Sequence, residues 1–128
     1  MDIKLEKGKA LVLFGARQCG KTSMAKKIAE AHGKYAHITM SELFGTFNSA
    51  FIRPDINTVI VEGFIDNPRD VSKIKSIISE KNILINTKGK NPEVGETPHF
   101  IFCTGDKKPI QITLKDRRFT THMYTLEG

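Results

Sequence analysis

The sequence predicts an α/β fold, with a mainly parallel sheet flanked by helices. Up to about residue 80, apolar runs of strand length alternate with segments whose apolar residues recur at helical spacing. This alternation indicates parallel pairing, because parallel neighbours need a long crossover connection between them. With 128 residues, the chain is long enough for one domain with its own core but not for two. We therefore interpret residues 1–128 as a single domain.

The first elements alternate between strand and helix. Ala10–Phe14 and Val59–Val61 contain no polar residue, as expected of strands that are covered on both faces. Met24 and Ile28 instead follow helical spacing. The predicted order is a strand over Ala10–Phe14, a helix from Thr22 that stops at His32-Gly33, a strand over Tyr35–Met40, a helix from Ser41 to about Phe51, a strand over Thr58–Phe64 and a helix that opens at Asn67-Pro68.

The pattern changes after residue 80. Asn82–Thr87 alternates apolar and polar residues, Lys88–Pro92 is rich in turn-forming residues, and Glu93–Thr97 can return antiparallel. These residues predict a β-hairpin insertion between the alternating elements and the end of the chain. Two more strands complete the prediction, a buried one over His99–Thr104 and an antiparallel C-terminal strand over Phe119–Leu126.

Composition and charge limit the classes of function. The net charge of +6 permits a polyanionic partner such as nucleic acid, although solubility alone is sufficient to explain it. The longest apolar runs are too short to span a bilayer, and the polar first residues do not resemble a signal peptide. We therefore expect a cytoplasmic protein with no membrane partner. Cys19 and Cys103 lie in different segments and are expected to be reduced thiols rather than a metal site.

A glycine-rich loop carries the strongest functional signal. The pattern Gly-x-x-x-x-Gly-Lys-Thr lies between a predicted strand and a predicted helix, which is the context of a phosphate-binding loop. Its backbone N–H groups would cradle phosphates, Lys21 would neutralise the β- and γ-phosphates, and the Thr22 hydroxyl would ligate Mg²⁺. The sequence thus predicts a P-loop NTPase that binds ATP with Mg²⁺. The predicted nucleotide-binding residues are Gly15, Ala16, Arg17, Gln18, Cys19, Gly20, Lys21, Thr22 and Ser23.

Glu62 is the candidate catalytic carboxylate. It ends the predicted strand that begins at Thr58, and enzymes with a phosphate-binding loop need a carboxylate at such a place to hold Mg²⁺ through water or to activate the attacking water. The alternative is an ordinary glutamate that faces solvent. Gly63 follows where many hydrolysing enzymes have a second carboxylate, so the partner is Asp66 or absent. The sequence predicts nucleotide binding and leaves hydrolysis open.

Three further features follow the glycine loop in a fixed order. They are the strand Val59–Glu62, the segment Lys75–Lys90, and Thr97–Asp106 followed by Asp116-Arg-Arg-Phe119. Together with the loop, they resemble the AAA+-like ATPase core of superfamily-3 helicases, the type found in small viruses, phages and plasmids, including phage primase-helicases. The likeness covers most of the chain, and it implies a protein that would reside in the host cytoplasm if it is phage-encoded.

The resemblance implies roles that spacing alone does not assign. The hairpin would enter the channel of a ring, expected to be a hexamer, and place Lys88 and Lys90 on single-stranded DNA without sequence preference. Without the resemblance, these lysines are a solvated turn. Arg117 and Arg118 would act as arginine fingers in a neighbouring subunit's site, or else form an exposed basic turn. The family has a sensor asparagine where this chain has Thr104-Gly105-Asp106, which makes Thr104 or Asp106 the candidate sensor.

The leading hypothesis is therefore an ATP-hydrolysing, helicase-like motor domain that acts on DNA in the replication of a phage or mobile element. Because the strand before the glycine loop begins within the first ten residues, we expect ring-holding and DNA-loading functions to come from a separate primase or origin-binding protein. Two alternatives remain. One is a nucleotide-binding regulatory or assembly module without turnover, and the other is a small nucleoside or nucleotide kinase.

Overall fold

The computed structural model describes residues 9–15, 21–63, 68–104 and 119–124. Strands and helices within these ranges are numbered in chain order. They are β1 (Ala10–Gly15), α1 (Lys21–Ala31), β2 (Tyr35–Thr39), α2 (Met40–Leu43), β3 (Thr58–Glu62), α3 (Pro68–Ser79), β4 (Asn82–Ile85), β5 (Glu93–Glu96), β6 (His99–Thr104) and β7 (Phe119–Tyr124).

Five strands form one sheet in the order β2-β3-β6-β1-β7, and every neighbouring pair is parallel. The strands β4 and β5 form a separate antiparallel pair. The predicted mainly parallel α/β architecture and the predicted hairpin are therefore confirmed. The apolar runs that predicted buried strands correspond to β1, β3 and β6, which occupy the three interior positions of the sheet.

The prediction of an antiparallel C-terminal strand is wrong, because β7 runs parallel to β1. Phe119 pairs with Ala10 and Tyr124 with Gly15, so both strands begin at the same edge of the sheet. Fourteen residues separate Thr104 from Phe119, and a connection of that length permits the crossover that a parallel neighbour requires. Apolar periodicity predicts which residues are buried, but it contains no information on strand direction.

Helices pack on both faces of the sheet, and alternate strand residues divide between the two faces. The face that packs on α1, here called the α1 face, includes Leu11, Leu13, Ile60 and Cys103, which pack with Ala25 and Ile28 of the helix. The opposite face, here called the α3 face, includes Val12, Val59 and Phe102, which pack with the helix residues Leu43, Ile74 and Ile78. The chain crosses the sheet in one direction from β1 to β2 and returns through β3 to β6. Because crossovers are right-handed, that reversal brings helices to both faces.

The helix α2 is shorter than the predicted helix from Ser41 to Phe51. It begins with a capping box, in which the Thr39 hydroxyl accepts a hydrogen bond from the Glu42 amide and the Glu42 carboxylate accepts one from the Thr39 amide. The helix ends one residue after Glu42. The amide of Gly45 then donates to the Glu42 carbonyl, which closes the last turn.

Contacts with the hairpin replace the rest of that predicted helix. The Asn48 amide donates to the Asn86 carbonyl, at 3.1 Å. The Asn48 side chain donates a hydrogen bond to the Leu84 carbonyl at 3.0 Å and accepts one from the Asn86 amide at 2.8 Å. These bonds need a backbone that is not helical at Asn48, so tertiary pairing overrides the local helical tendency.

Two further expectations can be compared with the described residues. Cys103 is a buried thiol of the α1 face, whereas Cys19 lies outside the described ranges. Among the described helices, none is long and apolar enough to cross a membrane.

Candidate functional site

The carboxyl edge of the sheet brings polar side chains together on the α1 face. Ile60 belongs to the core of that face, so Glu62, two residues further along β3, lies on the same face at the end of the strand. The neighbouring strand β2 is in register, with Thr39 opposite Glu62 and His37 opposite Ile60. His37 and Glu62 are consequently diagonal neighbours on one surface.

Thr22 reaches this carboxylate from the first turn of α1. Its hydroxyl donates a hydrogen bond of 2.5 Å to Oε1 of Glu62, across 40 residues of sequence. The strand β6 lies between β1 and β3, so the contact extends over the carboxyl end of β6. Thr22 and the carboxylate at the end of β3, both predicted as Mg²⁺ ligands, are therefore neighbours in the folded chain.

His37 approaches the other carboxylate oxygen. Its Nε2 lies 3.4 Å from Oε2 of Glu62, and the two side chains are 33% and 41% exposed. Each oxygen of Glu62 therefore has its own neighbour, a hydroxyl on one side and an imidazole on the other. Sequence reasoning missed His37. The strand alternation that places Tyr35 on the α1 face also places His37 there, so the signal was available once β2 was paired with β3.

The donor set at this edge suits a hard cation. A threonine hydroxyl and a carboxylate are oxygen ligands of the kind that Mg²⁺ prefers, and Mg²⁺ in proteins usually retains waters or phosphate oxygens as its other ligands. In the part of the chain that the structure describes, no group of three or more His, Cys, Asp or Glu residues could hold a metal ion. Thr22 and Glu62 supply two oxygen ligands, so they fit an ion whose other ligands are waters or phosphate oxygens.

The start of α1 adds a favourable field for an anion. Lys21 is the first residue of this helix of 11 residues, and the first turn contains no acidic residue. The amides at a helix N-terminus have no partner within the helix and carry partial positive charge. Gly15 ends β1, and Ser23 is exposed in the first turn of α1. The remaining predicted loop residues, Ala16, Arg17, Gln18, Cys19 and Gly20, lie outside the described ranges.

The other predicted site residues divide into those near this edge and those away from it. Thr104 is the last residue of β6, is fully buried, and pairs with Phe14 of β1. Its companion in the sensor prediction, Asp106, lies outside the described ranges, as do Arg117 and Arg118. The structure therefore brings Thr22, Glu62 and the end of β6 to one edge. It does not describe the predicted arginine fingers, Arg117 and Arg118.

The hairpin lies on the opposite face of the sheet from Glu62. Ile83 and Ile85 of β4 pack against the α3-face core. Lys88 and Lys90 are exposed in the turn between β4 and β5, where Gly89 has a φ of +79°. A glycine adopts that angle without the steric cost of a side chain. Both predicted DNA contacts are accessible to a ligand, but they are not part of the Thr22–Glu62 cluster.

Two cavities open at the amino edge of the sheet. One, of about 340 Å³, is lined by residues that include His32, Arg53 and His99. The other, of about 330 Å³, is lined by residues that include Lys81 and Phe100. Neither includes Thr22, His37 or Glu62.

The solved structures that are similar to this fold include three apo structures of the NrS-1 C-terminal region. An A-form structure has a TM-score of 0.71 and 24% identity, and covers 93% of this chain and 29% of that chain. Another has a TM-score of 0.73 and 24% identity, and covers 92% of this chain and 30% of that chain. A further A-form structure has a TM-score of 0.65 and 23% identity, and covers 96% of this chain and 29% of that chain. The chain thus spans less than a third of these proteins' length, and the likeness concerns the fold.

No curated protein matches this sequence. The model of one family matches residues 13–118, which include the end of β1, the Thr22–Glu62 pair, the hairpin and β6. The chain therefore belongs to the family described as "Family of unknown function (DUF5906)".

Proposed function

We propose that this chain is an ATP-binding and ATP-hydrolysing domain of the P-loop NTPase type, with Mg²⁺ as cofactor. The hydrogen bond between Thr22 and Glu62 is the observation that carries the proposal. In such enzymes the loop threonine and a carboxylate at the end of a neighbouring strand share one Mg²⁺ ion. This contact brings the first turn of α1 beside the end of β3.

The residues at this edge have separate tasks in binding. The loop amides and Lys21 would hold the phosphates, supported by the positive end of α1. Thr22 and Glu62 would hold Mg²⁺ between them, directly or through water. Mg²⁺ bound there supplies a positive charge that polarises the phosphate oxygens.

Glu62 also has a chemical task in hydrolysis. Its carboxylate would orient the water that attacks the γ-phosphate and accept a proton from it. At 41% exposure, the side chain is accessible to water. Hydrolysis breaks the β–γ phosphoanhydride bond and yields ADP and inorganic phosphate.

We further propose that the domain acts as a superfamily-3 helicase-like motor in phage or mobile-element replication. The exposed lysine turn of the hairpin and the net charge of +6 support a nonspecific contact with single-stranded DNA. The likeness of the fold to the NrS-1 C-terminal region is compatible with this proposal. In this proposal, copies of the chain form a hexameric ring, and Arg117 or Arg118 completes the ATP site of a neighbouring subunit.

Phosphate release from ATP tests the proposal. The assay is run with Mg²⁺ at several protein concentrations, with and without single-stranded DNA, and Lys21→Ala serves as the blank. We expect a rate that rises more steeply than protein concentration and increases with DNA. A rate that is indifferent to both would contradict the motor function, and a rate equal to the blank would contradict hydrolysis.

A nucleotide-binding module without turnover is the second candidate. The observation that favours it is Gly63, which follows Glu62 where a second carboxylate is common; its amide donates to the Cys103 carbonyl at 3.1 Å. Tight ATP binding without phosphate release, even with DNA and at high protein concentration, would decide for this module. A small kinase would instead be recognised by phosphate transfer to a nucleoside.

A further inference from the structure

We propose that His37 is a positioning residue for Glu62, which orients the carboxylate toward the cation site. The proposal rests on the function proposed above and concerns its metal-dependent part. It assigns a role to a side chain on β2 that neither the glycine loop nor the strand-end carboxylate pattern includes.

The geometry separates the two oxygens of Glu62. Oε1 accepts the hydroxyl hydrogen of Thr22 at 2.5 Å, and Oε2 lies 3.4 Å from Nε2 of His37. Glutamate has three side-chain torsions, and its terminal torsion is broad, so a carboxylate with one contact can still rotate. A second contact on the far oxygen restricts that rotation and keeps Oε1 directed at Thr22.

The other residues on the same face of β2 have contacts of their own. Thr39 lies directly opposite Glu62 in the register, but its hydroxyl caps α2 through contacts of 3.3 and 3.1 Å with Glu42. Tyr35 lies at the start of β2 and packs against the α1-face core. His37 is thus the residue of this strand face that approaches the carboxylate.

The backbone gives His37 a fixed position. The strands β2 and β3 are paired in parallel over their full length, and His37 lies opposite Ile60, a fully buried residue. A histidine on a paired strand can hold a ligating carboxylate in one orientation more firmly than a residue on an unsupported loop. Residues that hold a metal-ligating side chain in place from behind typically affect metal affinity or activity by about 10–100-fold.

The expected effect is specific to Mg²⁺. With His37→Ala, the Mg²⁺ concentration that half-maximally enhances ATP binding should rise about tenfold. ATP affinity measured in EDTA should stay the same, because the loop amides and Lys21 do not depend on the orientation of Glu62. His37→Gln keeps an N–H donor at a similar reach and should restore most of the Mg²⁺ response.

The experiment uses a fluorescent ATP analogue titrated at a series of Mg²⁺ concentrations and in EDTA. His37→Phe is a second loss variant, which keeps a ring on the strand and removes the nitrogen. His32→Ala is the matched control, since this histidine lies at the end of α1 and its Nδ1 is 2.9 Å from the Ile28 carbonyl. Thermal unfolding of every variant shows which of them are folded.

The outcomes separate this inference from the function on which it rests. A shifted Mg²⁺ response in His37→Ala and His37→Phe, restored in His37→Gln and absent in His32→Ala, supports the positioning role. An unchanged Mg²⁺ response in both loss variants overturns the positioning role and leaves the proposed ATP site intact. The same conclusion follows if these variants bind ATP equally more weakly in EDTA and in Mg²⁺. If the wild-type protein binds no ATP, the proposed function fails, and the role of His37 fails with it.

Discussion

The two edges of the five-stranded sheet differ in how their polar groups are arranged. At the carboxyl edge, Thr22, His37 and Glu62 come from three elements and converge on one carboxylate. At the amino edge, Asp55 forms ion pairs with two cations. Its carboxylate oxygens lie 3.0 and 3.1 Å from the Arg53 guanidinium, and Nζ of Lys34 lies 3.5 Å from Oδ2. All three side chains are exposed, so solvent screens these ion pairs.

The two cavities described above do not coincide with the Thr22–Glu62 cluster. The cavities of about 340 and 330 Å³ open at the amino edge, whereas the converging polar groups lie at the other. A phosphate site depends on aligned amides, a lysine and a cation, and it does not need an enclosed apolar volume. In open α/β sheets, ligands bind outside the carboxyl ends of the strands. The proposed phosphate site at the carboxyl edge therefore does not depend on an enclosed cavity.

The largest expected effect comes from Glu62→Gln. This change keeps the size of the side chain and removes its ability to accept a proton, so phosphate release should fall by about 10²–10⁴-fold. ATP binding in EDTA should be retained. The comparison with Lys21→Ala, which should lose binding, separates the two steps. Unchanged phosphate release in Glu62→Gln would remove the carboxyl edge from the chemistry.

The next effect concerns Thr22→Val, which keeps the shape of threonine and removes its hydroxyl. Loss of an oxygen ligand should raise the Mg²⁺ requirement of ATP binding by at least about tenfold. Thr22→Ser keeps the hydroxyl and serves as the matched control. Equal Mg²⁺ titrations of the valine and serine variants would contradict the assignment of Thr22 to the metal.

Lys88→Ala and Lys90→Ala should each have a smaller effect, confined to DNA. If each lysine contacts one phosphate, each substitution should reduce the slope of log affinity against log salt by about 1. ATP binding should be unaffected, because the hairpin packs on the α3 face. Fluorescence anisotropy with single-stranded DNA at several salt concentrations measures the slope. An unchanged slope would identify these lysines as a solvated turn.

The smallest effect is expected at the amino edge. The side chains of Arg53 and Asp55 are 53% and 41% exposed, so solvent screens their ion pair. Arg53→Ala should lower the free energy of unfolding by less than about 1 kcal/mol and leave ATP binding unchanged. Chemical denaturation and the nucleotide titration check both statements. A clear loss of ATP affinity would show that the two edges are coupled.

The sequence predicts burial well and pairing poorly, as particular elements show. The bounds of β6 follow from its apolar run, and α1 ends next to the predicted stop at His32-Gly33. The direction of β7 and the early end of α2 depend on partners distant in sequence, and local periodicity does not contain that information. The same limit applies to the candidate site, where the glycine-loop pattern predicted Thr22 and the strand end predicted Glu62. His37 became visible only through the pairing of β2 with β3.

The central place of β1 has a consequence for how this chain is synthesised and folds. The ribosome makes β1 before any other described strand, yet its two neighbours in the sheet are β6 and β7, the last described strands to be made. Most of the chain must therefore leave the ribosome before β1 gains either partner. During that interval the apolar run Ala10–Phe14 is a nascent segment without a sheet, and long-range parallel pairing of this kind forms slowly. Premature termination before residue 99 would yield a product whose first strand has neither neighbour, which makes it a ready substrate for chaperones and proteases.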